Sequence, residues 1–177
     1  YQQKGSSSGY EAIRTWDLDN GIQREIKALR DNLKKAIPSP KDKEMDIVLG
    51  PEVTGIAVHE ACGHPTEADR IFGREAAQAG ESFVDAGMIN SKIGSENVTI
   101  VDNPTIENSY GFYLYDDEGV KARERILYKK GLINEFLHNR ETSRRMNLQS
   151  NGSARANSYS NEPIVRMANT YLKAGKS

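Results

Sequence analysis

The sequence predicts an α+β fold in which two helices come first and a mainly antiparallel, strand-rich region follows. Apolar residues recur at helical spacing from Asp19 to Ile37, and a second, apolar helix is expected from Glu52 to Gly63. From residue 98 onward, short runs of β-branched and aromatic residues are separated by turn residues. Because these runs do not alternate regularly with helices, the pattern favours α+β, with the second helix packed on the strand-rich region.

The first helix is predicted by one apolar stripe, with charged residues around the rest of its circumference. Asp19 or Asn20 can cap its start, and Pro38 and Pro40 end it. We expect this amphipathic helix to turn its stripe toward the core. The stripe consists of Ile22, Ile26, Leu29, Leu33 and Ile37.

The second helix follows MDIVLG, residues 45–50, a short apolar run that predicts a strand. Pro51 suits the first turn of a helix, and Glu52 suits the positive end of the helix dipole. The residues up to Gly63 are mostly apolar, so we expect a buried helix. Residues 67–71 are expected to form one further helical turn.

The strand-rich region is predicted from apolar runs bounded by turn residues. The run ERILYKKGLINEFLHN, residues 124–139, predicts a hairpin whose turn is Lys130-Gly131. We further expect strands at 98–102, 110–115 and 163–172, a turn at 116–119, a short helix at 140–147 and a polar loop at 151–163.

The composition limits the classes of function. Lysine and arginine total 24 and aspartate and glutamate total 25, so the net charge is −1. This balance gives no basic footprint for nucleic acid, and we expect no nucleic-acid partner. The single cysteine, Cys62, excludes an internal disulfide framework and fits a reducing compartment.

The sequence also bears on location. Residues 1–9 are polar and lack the apolar core of a secretory signal. No apolar run approaches the roughly 20 residues that span a bilayer. We therefore expect a soluble, cytoplasmic protein with no membrane partner. Because the sequence begins without Met and ends abruptly at Ser177, we also expect it to be part of a longer protein.

The stretch VHEACGHPTEAD, residues 58–69, carries the clearest chemical signal. It places His59 and His64 five residues apart, whereas the familiar zinc-peptidase helix H-E-x-x-H places its histidines four apart. On a regular helix, residues four apart differ by about 40° around the axis, and residues five apart by about 140°. The two imidazoles therefore meet only if the helix absorbs one extra residue, as a π-bulge does. Gly63 and Pro65 favour such a distortion, because glycine weakens a helix and proline removes a backbone donor.

If the imidazoles meet, they offer two of the three protein ligands that a catalytic zinc usually takes. The carboxylate of Glu60 could then take a proton from a metal-bound water. In the alternative, each histidine is a hydrogen-bonded structural residue, and the spacing alone leaves both interpretations open.

Other residues near the motif are further candidates. Glu67 or Asp69 could be a third ligand, could hold a ligating imidazole, or could lie in a solvated helix start; we favour the second role or a structural one over ligation. Cys62 is a zinc ligand by type, but it lies between the histidines on one segment, so we expect a small buried residue. His138 follows a predicted strand and is expected to be structural or exposed.

Three residues near the C-terminal end are candidates for substrate binding. Arg155 and Arg166 could grip a substrate carboxylate or backbone carbonyl, because arginine offers a fixed fork of donors. Each could equally be a surface or structural arginine. Asn169 is open to the same two interpretations.

HEACGHPTEAD resembles the HExxxH motif of the TldD/PmbA family of metallopeptidases, also known as modulators of DNA gyrase. The likeness extends from about Gly9 to Gly175 and is closest to the TldD-type subunit. Its other stretches are YEAIRTWDLDNGI, PEVTGIAVHEACGH, VTIVDNPT, GFYLYDDEGV and NGSARANSYSNEPIVRMANTYL. Residues 102–105, Asp-Asn-Pro-Thr, depart from the Asp-Asp-Gly-Thr often found in the family, which affects only a local turn.

The resemblance implies a zinc-dependent peptidase that acts on small or unfolded polypeptides. It implies that His59 and His64 bind zinc and that Glu60 is the general base. The family's third ligand is a cysteine in a Gly-rich C-terminal segment that this sequence does not contain, and Cys62 cannot be its equivalent. Residues 1–17 are therefore expected to be a linker or the end of a preceding domain, and residues 18–177 part of the metallopeptidase domain without its C-terminal part.

The resemblance also implies a partner, because the family pairs a motif-bearing subunit with a related subunit. We expect a homodimer or a heterodimer of this kind. Two alternatives to the peptidase remain: a catalytically incomplete fragment that acts as an interaction or scaffold subunit, and direct regulation of gyrase or DNA. The charge balance gives the latter no support.

Overall fold

The computed structural model describes residues 4–38, 41, 43–74 and 82–175, and it confirms the α+β fold. The helices are α1 (Leu18–Lys35), α2 (Pro51–Val58), α3 (Ala68–Ile71) and α4 (Arg140–Arg145). The strands are β1 (Ile100–Asp102), β2 (Arg125–Lys129), β3 (Leu132–Ile133), β4 (Ala154–Arg155), β5 (Ile164–Val165) and β6 (Thr170–Leu172). Turns of 3-10 helix span Tyr10–Thr15, His64–Thr66 and Ala86–Met88, and a π turn spans His59–Gly63.

The main sheet is antiparallel and has the strand order β3-β2-β1-β6. β1 lies inside it, with Val101 paired to Ile126 of β2 on one side and to Tyr171 of β6 on the other. The predicted β2–β3 hairpin is confirmed. Lys130 and Gly131 at its turn both have positive φ, 50° and 76°, as the twist of a tight two-residue hairpin turn requires.

The predicted strand at 163–172 is divided into β5 and β6. Between them, Ala168 donates its N–H to Asp102 Oδ1 over 2.8 Å rather than to a neighbouring strand. β5 pairs instead with β4 in a separate two-stranded antiparallel ribbon. The predicted strand at 110–115 is wrong apart from one isolated bridge at Tyr115, because this segment turns around the side chain of Asn169.

The core lies between the main sheet and the segment that carries the histidine motif. Val58 and Cys62 of that segment pack against fully or almost fully buried side chains. These are Leu127, Ile133, Phe136, Leu137 and Val165.

A buried ion pair connects the strands beneath this core. Arg125 and Asp102 are both fully buried, and Arg125 Nη2 contacts Asp102 Oδ2. Arg125 Nη1 also donates to the carbonyl of Gly152 over 2.8 Å, and Asp102 Oδ1 accepts from Thr170 Oγ1 over 2.9 Å. The pair thereby connects β1 and β2 to the loop before β4 and to β6.

Both N-terminal helices form, but α1 begins at Leu18 after Asp17, so the predicted cap at Asp19 or Asn20 is wrong. The predicted burial of both helices is also wrong. The α1 stripe is exposed, from 54% at Ile22 to 85% at Ile37 beyond the helix end. In α2, Val53 and Ile56 are likewise exposed, and Val58 is the buried residue. A helical repeat of apolar residues predicts that one face of the helix packs on another surface, but it does not specify which surface. No part of the described chain covers these two faces.

The predicted strand at residues 45–50 is also wrong. In the described part of this segment no residue is paired in a ladder, and Ile47 and Val48 are exposed. A strand forms only where a neighbouring strand accepts and donates its backbone hydrogen bonds. The predicted short helix and extra helical turn are confirmed as α4 and α3. The predicted loop at 151–163 is interrupted by β4, because Ala154 and Arg155 pair with β5. Among the described residues, no helix is long and apolar enough to cross a membrane.

Candidate metal centre

The predicted bulge is confirmed as a π turn that begins at His59 and ends at Gly63. The backbone N–H of His64 donates to the carbonyl of His59, five residues earlier, so the extra residue is absorbed between the two histidines. Pro65 then follows in a turn of 3-10 helix. The five-residue spacing therefore becomes compatible with two side chains on one side of the helix.

The π turn brings the three chemical groups of the motif together. The two imidazole centroids are 4.7 Å apart and the rings are almost perpendicular, at 84°. One ligand atom from each of His59, Glu60 and His64 lies within 4.8 Å of the others. Two nitrogens bound to one zinc ion lie within about 4 Å of one another, because each Zn–N bond is about 2.0–2.1 Å. The two imidazoles are donors of the kind that zinc binds, and the Glu60 carboxylate lies beside them.

Gly63, at the end of the π turn, closely approaches the side chain of Met167. It is buried, and a Cβ there would lie 1.9 Å from Met167 Sδ. Met167 follows β5, so the segment after β5 lies directly against the turn that joins the two histidines.

His64 is held by a buried carboxylate. Its Nδ1 lies 2.9 Å from Glu67 Oε2, and the same oxygen accepts from Arg70 Nε over 3.1 Å and from Arg70 Nη2 over 3.0 Å. An ionised carboxylate can only accept, so the proton between His64 and Glu67 belongs to Nδ1. Arg70 Nη2 and His64 Nδ1 lie 3.3 Å apart because both donate to the same oxygen of Glu67, and they do not bond each other. In the neutral imidazole, this tautomer leaves the lone pair on Nε2 available for a metal.

Glu67 is itself fixed by the core. It is fully buried and bridges Leu137 in a parallel pairing, and Ala68 donates to the carbonyl of Leu137 over 3.0 Å. Arg166 Nη1 lies 4.0 Å from Glu67 Oε2. Oε1 of Glu67 has no hydrogen-bond partner within the described part of the chain.

Asp69 has a different environment, outside the cluster of ligand atoms. It is buried; Oδ2 accepts from the N–H of Val165 over 2.9 Å, and Oδ1 accepts from the N–H of Arg70 over 2.8 Å. These bonds connect α3 to β5. The structure therefore places Asp69 as a link between elements.

Cys62 and His138 are not members of the cluster of ligand atoms found among the described residues. Cys62 is partly buried, and burial raises the pKa of its thiol, which keeps the thiol protonated. His138 is buried, and its Nδ1 lies 3.1 Å from Thr142 Oγ1. Burial lowers the pKa of His138 to about 4, so this imidazole is neutral at pH 7.

The three predicted substrate-binding residues lie in different surroundings. Arg155 and Arg166 line one open pocket beside β4 and β5. Asn169 instead donates to the carbonyl of Asn103 and to Ser109 Oγ, both over 2.8 Å, and accepts from Gly111 N over 3.1 Å. Its amide is therefore used to shape the loop, although a role in substrate binding stays a prediction.

Sequence reasoning missed Arg70, which shares one carboxylate oxygen with His64. A signal was present, because residues three apart on a helical turn lie on the same face and Glu67 and Arg70 have opposite charges. The burial of the pair could not be inferred from that spacing.

Comparison with known proteins decides the family. The family described as "PmbA/TldA metallopeptidase C-terminal domain" matches residues 42–177, well over half of the chain. The chain belongs to the PmbA/TldD metallopeptidase family. Its helix α1 lies before the matched range.

Curated relatives in this family cover almost the whole chain. It is 40% identical over 167 residues to Metalloprotease MJ0996 of Methanocaldococcus jannaschii, covering 94% of this chain and 35% of the relative. It is 42% identical over 172 residues to a metalloprotease of Methanothermobacter thermautotrophicus, covering 97% and 35%. It is 35% identical over 161 residues to a "Zinc metalloprotease TldD homolog" of Saccharolobus solfataricus, covering 90% and 34%. The PmbA/TldD chain described here thus spans about a third of the length of the relatives it matches.

Solved structures share the fold at lower identity. TldE from Thermococcus kodakarensis is similar with a TM-score of 0.52 and 22% identity, over 64% of this chain and 24% of that one. A protein of Thermotoga maritima, described as a proposed modulator of a DNA gyrase, is similar with a TM-score of 0.56 and 21% identity, over 71% and 26%. At these identities the likeness shows the PmbA/TldD fold.

Proposed function

We propose that this chain supplies two zinc ligands and the general base of a TldD-type peptidase that hydrolyses small or unfolded polypeptides. The observation that supports the proposal is the π turn, beside which one ligand atom of each of His59, Glu60 and His64 lies within 4.8 Å of the others. The relative from Saccharolobus solfataricus that is named a zinc metalloprotease supports zinc as the metal.

In this proposal His59 and His64 hold the zinc through their imidazole nitrogens. Bound zinc would lower the pKa of its water to about 7. Glu60 would serve as general base, because its carboxylate could accept a proton from water and return it to a leaving amine. Its Oε1 lies 3.9 Å from His59 Nε2, and both side chains are exposed, so a polypeptide can reach them.

Glu67 and Arg70 keep His64 in the tautomer that binds metal. A carboxylate that accepts from the other ring nitrogen is the usual support of a zinc-bound histidine. Asp69 supports the same segment indirectly, through its bond to Val165. We place no metal ligand at Glu67, Asp69 or Cys62, and the third ligand is expected from the C-terminal cysteine that the resemblance implies.

The test uses the full-length protein and a fluorescent unfolded peptide, with zinc measured by elemental analysis. Glu60→Gln should keep zinc but lose about 10²–10⁴-fold in hydrolysis. Glu52→Gln, exposed in the first turn of α2, is the matched control and should keep both. Hydrolysis by Glu60→Gln at the wild-type rate would remove the role assigned to Glu60.

The same measurement tests the support of His64. Glu67→Gln should weaken zinc affinity about 10–100-fold, because the carboxylate that accepts from the imidazole is lost. Unchanged zinc affinity in a folded Glu67→Gln protein would show that Glu67 has only a structural role.

A second candidate is a scaffold subunit without activity. Its supporting observation is that the cluster in the described chain contains only His59, Glu60 and His64, of which two are exposed. For the 177-residue chain alone we expect weak zinc binding or none. One tightly bound zinc per chain in elemental analysis would contradict this expectation and indicate a substitute ligand.

A cytoplasmic location and a related TldD/PmbA-type subunit, in a homodimer or heterodimer, complete the proposal. The exposed apolar stripe of α1 supports a further protein surface that covers it. Gyrase or DNA regulation is not favoured, because the net charge of −1 offers no bulk attraction for phosphate.

A further inference from the structure

The β4–β5 ribbon has one buried face and one face that carries two arginines. Ala154 pairs with Val165, and both are fully buried. Side chains alternate along a strand, and directly paired residues share a face. Arg155, paired with Ile164, therefore lies on the opposite face, and so does Arg166, which follows Val165.

This outer face borders an open pocket of about 320 Å³. Its described lining residues include no aspartate or glutamate and are Arg155, Ala156, Asn157, Ile164, Arg166 and Met167. Met167 also lies against Gly63, at the end of the π turn. The pocket therefore adjoins the segment that holds His59, Glu60 and His64.

Both guanidinium groups are held in place by the protein. Arg155 Nη1 donates to the carbonyl of Met167 over 3.2 Å, and its Cζ lies 5.8 Å from the centre of the Tyr113 ring. Arg166 Nη1 donates to the carbonyl of Val165 over 2.9 Å. Positioned arginines lose less conformational freedom when they bind an anion, and their planar forks match the two oxygens of a carboxylate.

The charges among the described lining residues favour an anion. Arg166 Nη1 lies 4.0 Å from Glu67 Oε2, and Glu67 also bonds Arg70 through two nitrogens. Arg155 adds a further positive charge on the same face. A zinc ion at His59 and His64 would add to this positive potential.

We propose that this pocket is a carboxylate-binding subsite of the peptidase, so that the substrate class is peptides with a carboxylate close to the cleaved bond. The inference rests on the proposed function and extends it. The carboxylate could be the C-terminal group of a short peptide or the side chain of an acidic residue, and the experiment separates these two sources.

Binding is measured by calorimetry on the zinc-loaded full-length Glu60→Gln protein, so that no peptide is consumed. Three matched hexapeptides are compared: one neutral and amidated, one with a free C-terminal carboxylate, and one amidated with a single glutamate in place of glutamine. We expect at least one carboxylate peptide to bind about tenfold more tightly than the neutral one, as for a charge-assisted arginine pair.

Substitutions assign the effect to the pocket. Arg155→Gln and Arg166→Gln should each remove most of the preference, and Arg166→Lys should retain part of it. Arg24→Gln, on the exposed surface of α1, is the control and should leave the preference unchanged. Circular dichroism checks that every variant is folded.

Equal binding of all three peptides would overturn the subsite, as would a preference that survives both glutamine substitutions. Hydrolysis of the three peptides by the wild-type enzyme tests the proposed function separately. Hydrolysis without a carboxylate preference would contradict only the proposed subsite. A preference that depends on the arginines, without hydrolysis of any peptide, would contradict the proposed peptidase activity but would support the pocket as a carboxylate-binding site.

Discussion

The N-terminal helices and the sheet region cover their apolar side chains to very different extents. In the sheet region, Leu127, Ile133 and Leu137 are fully buried, whereas the apolar stripe of α1 is more than half exposed along its length. Both regions have regular secondary structure. The difference shows that an apolar pattern specifies an element and its apolar face, but not the surface that covers this face.

Buried and exposed side chains also lie next to each other in the histidine motif, where the two regions meet. His64 is held by Glu67 from the covered side, whereas His59 and Glu60 extend from the uncovered side. Half of the candidate site is thus positioned by the core of this chain. The other half is open to a substrate or to a further protein segment.

The largest effect is expected in the covered region, from Arg125→Met. This change leaves Asp102 buried without its ionic partner, which should lower the free energy of unfolding by about 3–5 kcal/mol. The control is Arg123→Met, whose ion pair with Glu135 is at the surface and should contribute less than about 1 kcal/mol. Urea denaturation of the chain measures both. Equal losses would contradict the structural role of the buried pair.

The next effect is a loss of stability at low pH through the buried His138. Its folded pKa of about 4 lies below the unfolded value of 6.5, so the unfolded chain binds the proton first. The stability is therefore complete above pH 6.5 and is lost as the pH falls toward 4. Between pH 7 and 4.5 the wild type should lose about 2 kcal/mol more than His138→Gln. Parallel pH profiles for the two proteins in urea denaturation would refute the assignment.

A smaller effect is expected at the boundary between the two regions. Gly63→Ala forces a methyl group against Met167 and should cost about 1–3 kcal/mol. Gly55→Ala, in α2, meets no atom within 4 Å and should be neutral or stabilising by up to about 1 kcal/mol. Thermal denaturation compares the two. If the close contact is the cause, Gly63→Ala should cost less in a Met167→Ala background than in the wild type, which a double-mutant cycle measures.

The smallest effect is expected in the uncovered region. Ile26→Gln removes a half-exposed apolar side chain of α1 and should change the free energy of unfolding of this chain by no more than about 0.5 kcal/mol. Leu127→Ala, in the core, should cost about 2–5 kcal/mol in the same urea experiment. A loss above about 1.5 kcal/mol at Ile26 would show that the stripe is covered within this chain.

The sequence by itself determined the features that depend on neighbouring residues. The 3.6-residue period of α1, the Lys130-Gly131 turn and the extra residue between His59 and His64 each constrain only a few consecutive dihedral angles. For this reason the helix, the hairpin and the π turn could be predicted without a partner. The residues of the candidate centre followed from the same local signal.

Tertiary structure decided the features that join distant parts of the chain. Asp69 accepts from Val165, Glu67 is fixed beside Leu137, and Gly63 lies against Met167 only after the strands have paired. The burial of Glu67 and the pocket of Arg155 and Arg166 depend on these contacts. No local pattern encodes them, because the free energy of burial depends on which surfaces meet and not on the order of residues within one segment.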